Sequence, residues 1–455
     1  MGASPALVAR RARVEATSVR FTPSNEVLDR FARFVITRCI AGATALVIFT
    51  GHFGLMGFPI NPARTLTFIA VFVWAARKVL IGSIVRKRRW NMGHVLLLSC
   101  AVYAIGSAFA HGSLGNASKN GLLDTFGLIP FLLFFISADT FIARRDRLFF
   151  LKVVTVVAGY LALTAVLEGL GLRALTWPRY INDPSVGYHL ERARGPFAEA
   201  VGNGVAIVQF GGLALIGATQ WQSRRAKRWG RFIGIASIGA SVFTLTRSVW
   251  IGTAFAMLVV LASFKRLRRY LPAVAGASLV LVIALLTVVP GFSESVETRT
   301  SQQRPIWDRI NMNAAAYAAF EDHPLVGLGW DGIRTQGPDY LFQNDSIPIF
   351  QESEETSIHS WYLTILADLG FIGFMLWFGS VCYWLLLAPL RPSKSRELAH
   401  WRAGLLFISI ELLFVAGFVP MSQAAGSFVV WVVAGIVAAQ HPMGWVRVQN
   451  RSVVA

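Results

Sequence analysis

Apolar residues run in stretches of about twenty along almost the whole chain, and the polar residues gather between them in short blocks. An α-helix rises about 1.5 Å per residue, so roughly twenty residues carry it across the hydrocarbon core of a bilayer. The pattern predicts helices over about 34–53, 65–84, 92–110, 121–142, 149–171, 203–221, 232–246, 248–264, 271–290, 361–389, 403–420 and 424–440. The expected fold is an all-α polytopic membrane protein of about twelve spans. The pair 232–246 and 248–264 is short and divided only around "LTRS", which reads as a hairpin stopping short of the full outer surface. Two long connections remain, 172–202 and 291–360. Within the second, "RPIWDRINMNAAAYAAFEDHP" has helical spacing and should stop at Pro324, before the turn-rich "GLGWDG".

Composition agrees with this reading. Of 455 residues, 55% are hydrophobic and only 15% charged, with a mean hydropathy of +0.54, where soluble domains carry about 25% charged residues. The formal charge of +19 resides largely in blocks between apolar stretches: "RKRR" (86–89), "RRDR" (144–147), "RRAKRWGR" (224–231), "KRLRR" (265–269) and "RPSKSR" (391–396). Lys and Arg in short loops are retained on the cytoplasmic side. Twelve helices starting inside put every such block inside, together with a basic N-terminal segment 1–33 and a tail 441–455. The charge is therefore an orientation signal with some affinity for anionic membrane lipids, and not a nucleic-acid footprint. The basic start has no small-residue cleavage site after it, so 34–53 reads as a retained helix. Cys39, Cys100 and Cys382 fall inside apolar runs and read as small buried hydrophobes.

This topology puts 172–202 and 291–360 outside. The second loop holds eleven of the 24 acidic residues, and with Trp307, Tyr317, Phe320, Trp330, Tyr340, Phe342 and Phe350 it is too aromatic for a solvated tail. Outer arginines run against the charge rule. Arg192 and Arg194 lie in "ERARGPF", Arg247 in "TLTRSVW" and Arg304 in "QQRPIWDR". Guanidinium forks bind phosphate oxygens two at a time, and several together suit a diphosphate. The alternative, that each snorkels or pairs with the loop's acids, stays open. His359, in "EETSIHSWYLTILADLGFIG", stands where the acidic segment meets an apolar run. With Thr356 or Ser357 as helix cap it would occupy a first helical turn, whose dipole favours neutral imidazole, the form a general base requires. Glu352, Glu354 and Glu355 are placed to orient its other nitrogen; an interfacial histidine without chemistry is the alternative. No D-x-D pair, phosphate loop, H-E-x-x-H pair or G-x-S-x-G elbow occurs, so neither a metal nor a nucleotide cofactor is expected.

The ordered set "RARGPFAEAVGNG", "TLTRSVWIG", "RPIWDR…FEDHPLVGLGWDGI" and "HSWYLTILADLGFIG" resembles the O-antigen ligase and polymerase family of bacterial envelope glycosyltransferases, most strongly over residues 192–378. The resemblance implies a GT-C-like enzyme of the inner membrane. Such an enzyme moves a glycan from undecaprenyl diphosphate to an acceptor hydroxyl on the periplasmic side, without a metal. It implies His359 as general base, Arg194 and Arg304 on the diphosphate, and Arg247 completing the clamp. Asp308 and Asp322 lie in matching segments without an assigned role. Arg192, Trp307 and Glu355 are further candidates for the site. A single displacement with inversion is the simplest chemistry. Within the family the acceptor is either a lipid A-core sugar, the ligase reading, or a second carrier-linked glycan, the polymerase reading. A transporter of the lipid-linked glycan and a scaffold protein are the competing classes.

Overall fold

A computed structural model describes residues 23–81, 90–113, 128–187, 189–276, 304–341, 358–392, 395–420 and 424–439. Among them all regular structure is helical. The main helices are α1 (Pro23–Leu46), α2 (Pro62–Ile81), α3 (Met92–Ala110), α4 (Leu128–Thr140), α5 (Arg144–Gly169), α6 (Ala200–Gln220), α7 (Arg224–Ala240), α8 (Arg247–Ser263), α9 (Arg304–Asp322), α10 (Trp361–Val381), α11 (Arg396–Ala416) and α12 (Ala424–Ala439). Past Val381, α10 widens into a π-helix over Cys382–Leu387 and ends at Leu390.

Six segments are long and apolar enough to cross a membrane: Asn25–Phe49, Met92–Ala110, Arg144–Gly169, Ala200–Gln220, Trp361–Leu390 and Arg396–Ala416. Helices α4, α8 and Ala425–Ala439 of α12 are apolar but shorter. The expected span 271–290 lies outside the described residues beyond 276. The fold is thus a multi-pass helical bundle, with six full-length spans among the described residues where the hydropathy pattern predicts twelve in the whole chain.

Helix starts correct the pattern in one consistent direction. α1 begins at Pro23 and not near 34, α5 at Arg144 and not 149, and α7 at Arg224 and not 232. Each extension takes in charged residues. Arg and Lys are good helix formers, and their long stems let a charged turn continue the helix while the heads stay at the polar boundary. The hairpin is α7, a 3-10 turn over Ser241–Thr244, and α8, with Leu245 in the left-handed region (φ 49°) at the corner.

The bundle is built around α6, which packs against α5, α7 and α11 and is buried along nearly its whole length. Its glycines allow this. A Cβ on Gly211 would lie 2.8 Å from Ser237 Cβ and 3.2 Å from the Gly234 carbonyl, and one on Gly234 would lie 2.9 Å from the Gly211 carbonyl. Lipid tails are as apolar as side chains, so close approach of small residues is what drives helices together in a bilayer. At one end, ion pairs tie helices that the chain keeps far apart. Arg77 (α2) reaches Asp29 of α1 at 2.7 Å and Asp139 of α4 at 2.8 Å, and Arg147 (α5) reaches Glu397 of α11 at 2.7 Å. This is the end that holds the basic blocks of α5, α7 and α11. The opposite end is assembled from the starts of α6, α8 and α10, from α9, and from the segment 170–199.

Candidate active site

His359 lies one residue outside α10. The cap is Ser360, whose hydroxyl accepts from the Leu363 amide, and not Thr356 or Ser357, which fall outside the described residues. His359 therefore precedes the cap instead of sitting in the first turn. It is half-buried between buried Ile358 and Ser360, at the amide end of the helix but beyond it. Glu352, Glu354 and Glu355 also lie outside the described residues.

Two chains of contacts set the level of the arginines relative to this histidine. Tyr362 donates to the Leu413 carbonyl at 2.6 Å, near the end of α11. The next residues, Phe414 and Val415, lie against Gly252, five residues into α8. The end of α11 thus touches α8 near its start and the first turn of α10. On the other flank α9 runs beside α10. Its Pro324 and Leu325 carbonyls accept from the Phe371 and Ile372 amides, and Met312, Ala316 and Ala319 share one buried cluster with Ile358, Leu363 and Ala367. Counting back along α9 from Pro324 at Phe371 brings Met312 opposite residue 359, with Arg309 less than one turn further out.

Arg309 is the residue that sequence reasoning passed over. It is partly buried on α9, and its guanidinium is pushed down first by burial and then by the charge of Arg247. Arg247, exposed as the first residue of α8, is its cationic neighbour, and among the described residues neither arginine forms an ion pair. Two guanidinium groups that feel each other's charge, with no ion pair among the described residues, create a local positive potential that an anion would relieve. The signal was present in "RPIWDR", but spacing alone does not say which arginine of the motif feels the charge of Arg247.

Arg194 is engaged within its own loop. It is completely buried, and its fork faces the loop's own backbone. Nε and Nη2 donate to the Ile181 carbonyl at 2.9 and 2.8 Å, Nη2 also to Asp183 at 2.5 Å, and Nη1 to Val186. Its amide and that of Gly195 donate to Glu168 at 2.7 and 3.0 Å, and Arg173 adds a charge 3.5 Å from the same carboxylate. In this structure Arg194 braces the 181–195 loop, with its side-chain donors engaged by the loop's carbonyls.

The other candidates divide similarly. Arg192 is largely buried, with Nε 3.7 Å from Glu191. Glu199, also passed over, caps α6 by accepting from Val201 and Gly202 at 2.8 and 2.6 Å; burial pushes its carboxyl up, against these amides. Arg304 opens α9, with Trp307, half-buried, and Asp308 in the turn that follows. Asp322 ends α9 and is hydrogen-bonded by the Tyr340 phenol, whose ionisation is pushed up by burial and by that carboxylate. Among the described residues no group of acids, histidines or cysteines is arranged to hold a metal ion.

The family model described as O-antigen ligase matches residues 205–378. No curated protein matches the chain. The matched segment runs from α6 to within α10 and contains Arg247, Arg304, Trp307, Asp308, Arg309, Asp322, Glu355 and His359, while Arg192 and Arg194 precede it. Helices α8 and α9 and most of α10 are therefore internal to the matched segment, and over residues 205–378 the chain is similar to the O-antigen ligase family.

Proposed function

We propose that this protein is an O-antigen ligase-type glycosyltransferase of the bacterial inner membrane, with its site facing the periplasm. The donor is a glycan on undecaprenyl diphosphate and the acceptor a hydroxyl of the lipid A-core. One observation carries the reading: Arg309 lies on α9, the helix packed beside α10, which His359 precedes, and feels the charge of Arg247 at the start of α8, with neither arginine in an ion pair among the described residues. A diphosphate leaving group departs as an anion and needs cationic stabilisation, not a proton, and the two guanidinium groups supply it. The acceptor oxygen must lose its proton as it attacks, and His359 takes that proton. The carbon–oxygen bond to the acceptor forms as the bond to the diphosphate breaks, with inversion at the sugar carbon. Arg304, five residues before Arg309, opens the same helix.

The test uses purified protein in nanodiscs with a glycan on undecaprenyl diphosphate, with and without lipid A-core, read by mass spectrometry. Transfer to lipid A-core that His359→Ala abolishes is the expected result. Longer carrier-linked chains in the absence of that acceptor would assign a polymerase instead. No transfer under either condition would overturn the enzyme reading, and retention of anomeric configuration would overturn the single displacement.

A further inference from the structure

Helix α10 is broken inside its apolar run. Gly370 has φ 63° and ψ −170°, a conformation open essentially to glycine alone, and the break frees carbonyls and amides on both sides. The stretch 324–333, which follows α9, fills it. The Phe371 and Ile372 amides donate to Pro324 and Leu325 at 2.8 and 3.2 Å, and Leu328 and Gly329 donate to the Ala367 and Asp368 carbonyls at 2.9 Å each. The fit admits no side chain: a Cβ on Gly370 would lie 2.4 Å from the Leu325 carbonyl group, and one on Gly327 2.5 Å from that of Asp368. The buried carboxylate of Asp368 closes the far side, accepting from the Ile333 amide at 2.8 Å and from the backbone of Asp331. α3 and the turn after it brace both partners, Tyr103 at the Leu369 carbonyl (3.2 Å) and Ser107 and Ser113 on the Trp330 backbone (3.1 and 2.9 Å).

We propose that this inserted segment is a joint that sets the register of the arginine helix α9 against the histidine helix α10, with Asp368 as its positioning residue. Asp368 lies nine residues along the chain from His359, more than two helical turns, and takes no part in the chemistry. The apolar contacts of Met312, Ala316 and Ala319 with α10 do not by themselves fix a register, because small side chains and lipid offer no directional contacts. The hydrogen bonds of the joint are directional and lie where water does not compete. Arg309 and His359 are thereby held at a constant separation, which matters because a displacement of about 1 Å at a reacting centre costs up to about a hundredfold in rate.

The inference rests on the proposed transfer reaction for its consequence, and the experiment separates the two. In a background lacking the three cysteines, spin labels go at positions 317 and 378, both exposed. The α9–α10 distance is then measured in the full-length protein, beside the transfer assay, for Asp368→Ala, Asp368→Asn, Gly370→Ala and, as a control in open space, Gly106→Ala. In Asp368→Ala and Gly370→Ala the distance distribution broadens. For Asp368→Ala, kcat falls by about a hundredfold while donor KM moves by no more than about threefold. Asp368→Asn keeps one acceptor and recovers part of both properties. A narrow, unshifted distribution in Asp368→Ala overturns the joint whatever the activity, and a broadened one with unchanged kcat overturns its role in positioning. If the parent transfers nothing, the reaction is refuted and the distance measurement alone decides the joint.

Discussion

Replacing Arg194 separates a strut from a ligand. Its side chain donates to three backbone carbonyls, those of Ile181, Asp183 and Val186, and it is completely buried. Arg194→Ala leaves the Ile181 and Val186 carbonyls without a donor, leaves the Asp183 carbonyl only the Val186 amide at 3.2 Å, and opens a void where the guanidinium lay. A hydrogen bond from a charged donor contributes about 1.5–3 kcal/mol, but the three are one network and do not add. Removing one partner from a buried charged network costs about 3–5 kcal/mol, and that is the expected loss. Arg194→Lys keeps the charge but cannot reach three carbonyls in different directions from one ammonium, so it should recover little of the loss. The assay is thermal unfolding of the detergent-solubilised protein, followed by tryptophan fluorescence, beside donor binding at a temperature where each variant is folded. A strut predicts a large fall in melting temperature for both variants and near-parental donor affinity in whatever fraction folds. Unchanged melting in Arg194→Ala with lost donor affinity, restored by lysine, would refute the reasoning and return Arg194 to the diphosphate.

Other expectations follow from single observations. Arg309→Ala should lower kcat/KM by about 10²–10³-fold, the typical loss on removing one donor from a developing anion, while melting stays near the parent's. Arg309→Lys should recover part of it, and a variant with full activity would remove Arg309 from the site. His52 stacks on Tyr180 at 5.0 Å with Nδ1 buried, and its imidazole is held below its ordinary value by burial and then by Arg194. With the folded value depressed, the unfolded chain takes up the proton first, so stability falls as pH drops below about 6.5. His52→Phe should flatten the melting curve between pH 7.5 and 5.5 (nominal values, about one unit either side of the free imidazole), and an unchanged slope would place the acid sensitivity elsewhere. Glu411 is completely buried in α11, and neither carboxylate oxygen finds a partner among the described residues. Glu411→Gln should leave melting unchanged or raise it by about 1–2 kcal/mol, since it removes an orphaned ionisable group; a large loss would mean the carboxyl has a required partner.

The helical, membrane-spanning character of this chain was legible in one dimension, because length, hydropathy and the placement of Lys and Arg act on each segment separately. So was the helix that precedes Pro324, since its period and its stop are local. The helix starts were misjudged where charged residues extend α1, α5 and α7, because propensity and snorkelling carry a helix past its apolar stretch. The break at Gly370 was hidden by an unbroken apolar run, since what opens it is a partner segment some forty residues upstream. The arginines show the limit most directly. All are the same residue on the same expected side of the membrane, and sequence alone separates them only by motif. Arg194 is turned inward because the fold wraps carbonyls around it, whereas Arg309 feels the charge of Arg247 and has no ion pair among the described residues. The difference between a strut and a phosphate ligand lies in which acceptors surround the fork, and only the packing of distant segments supplies those.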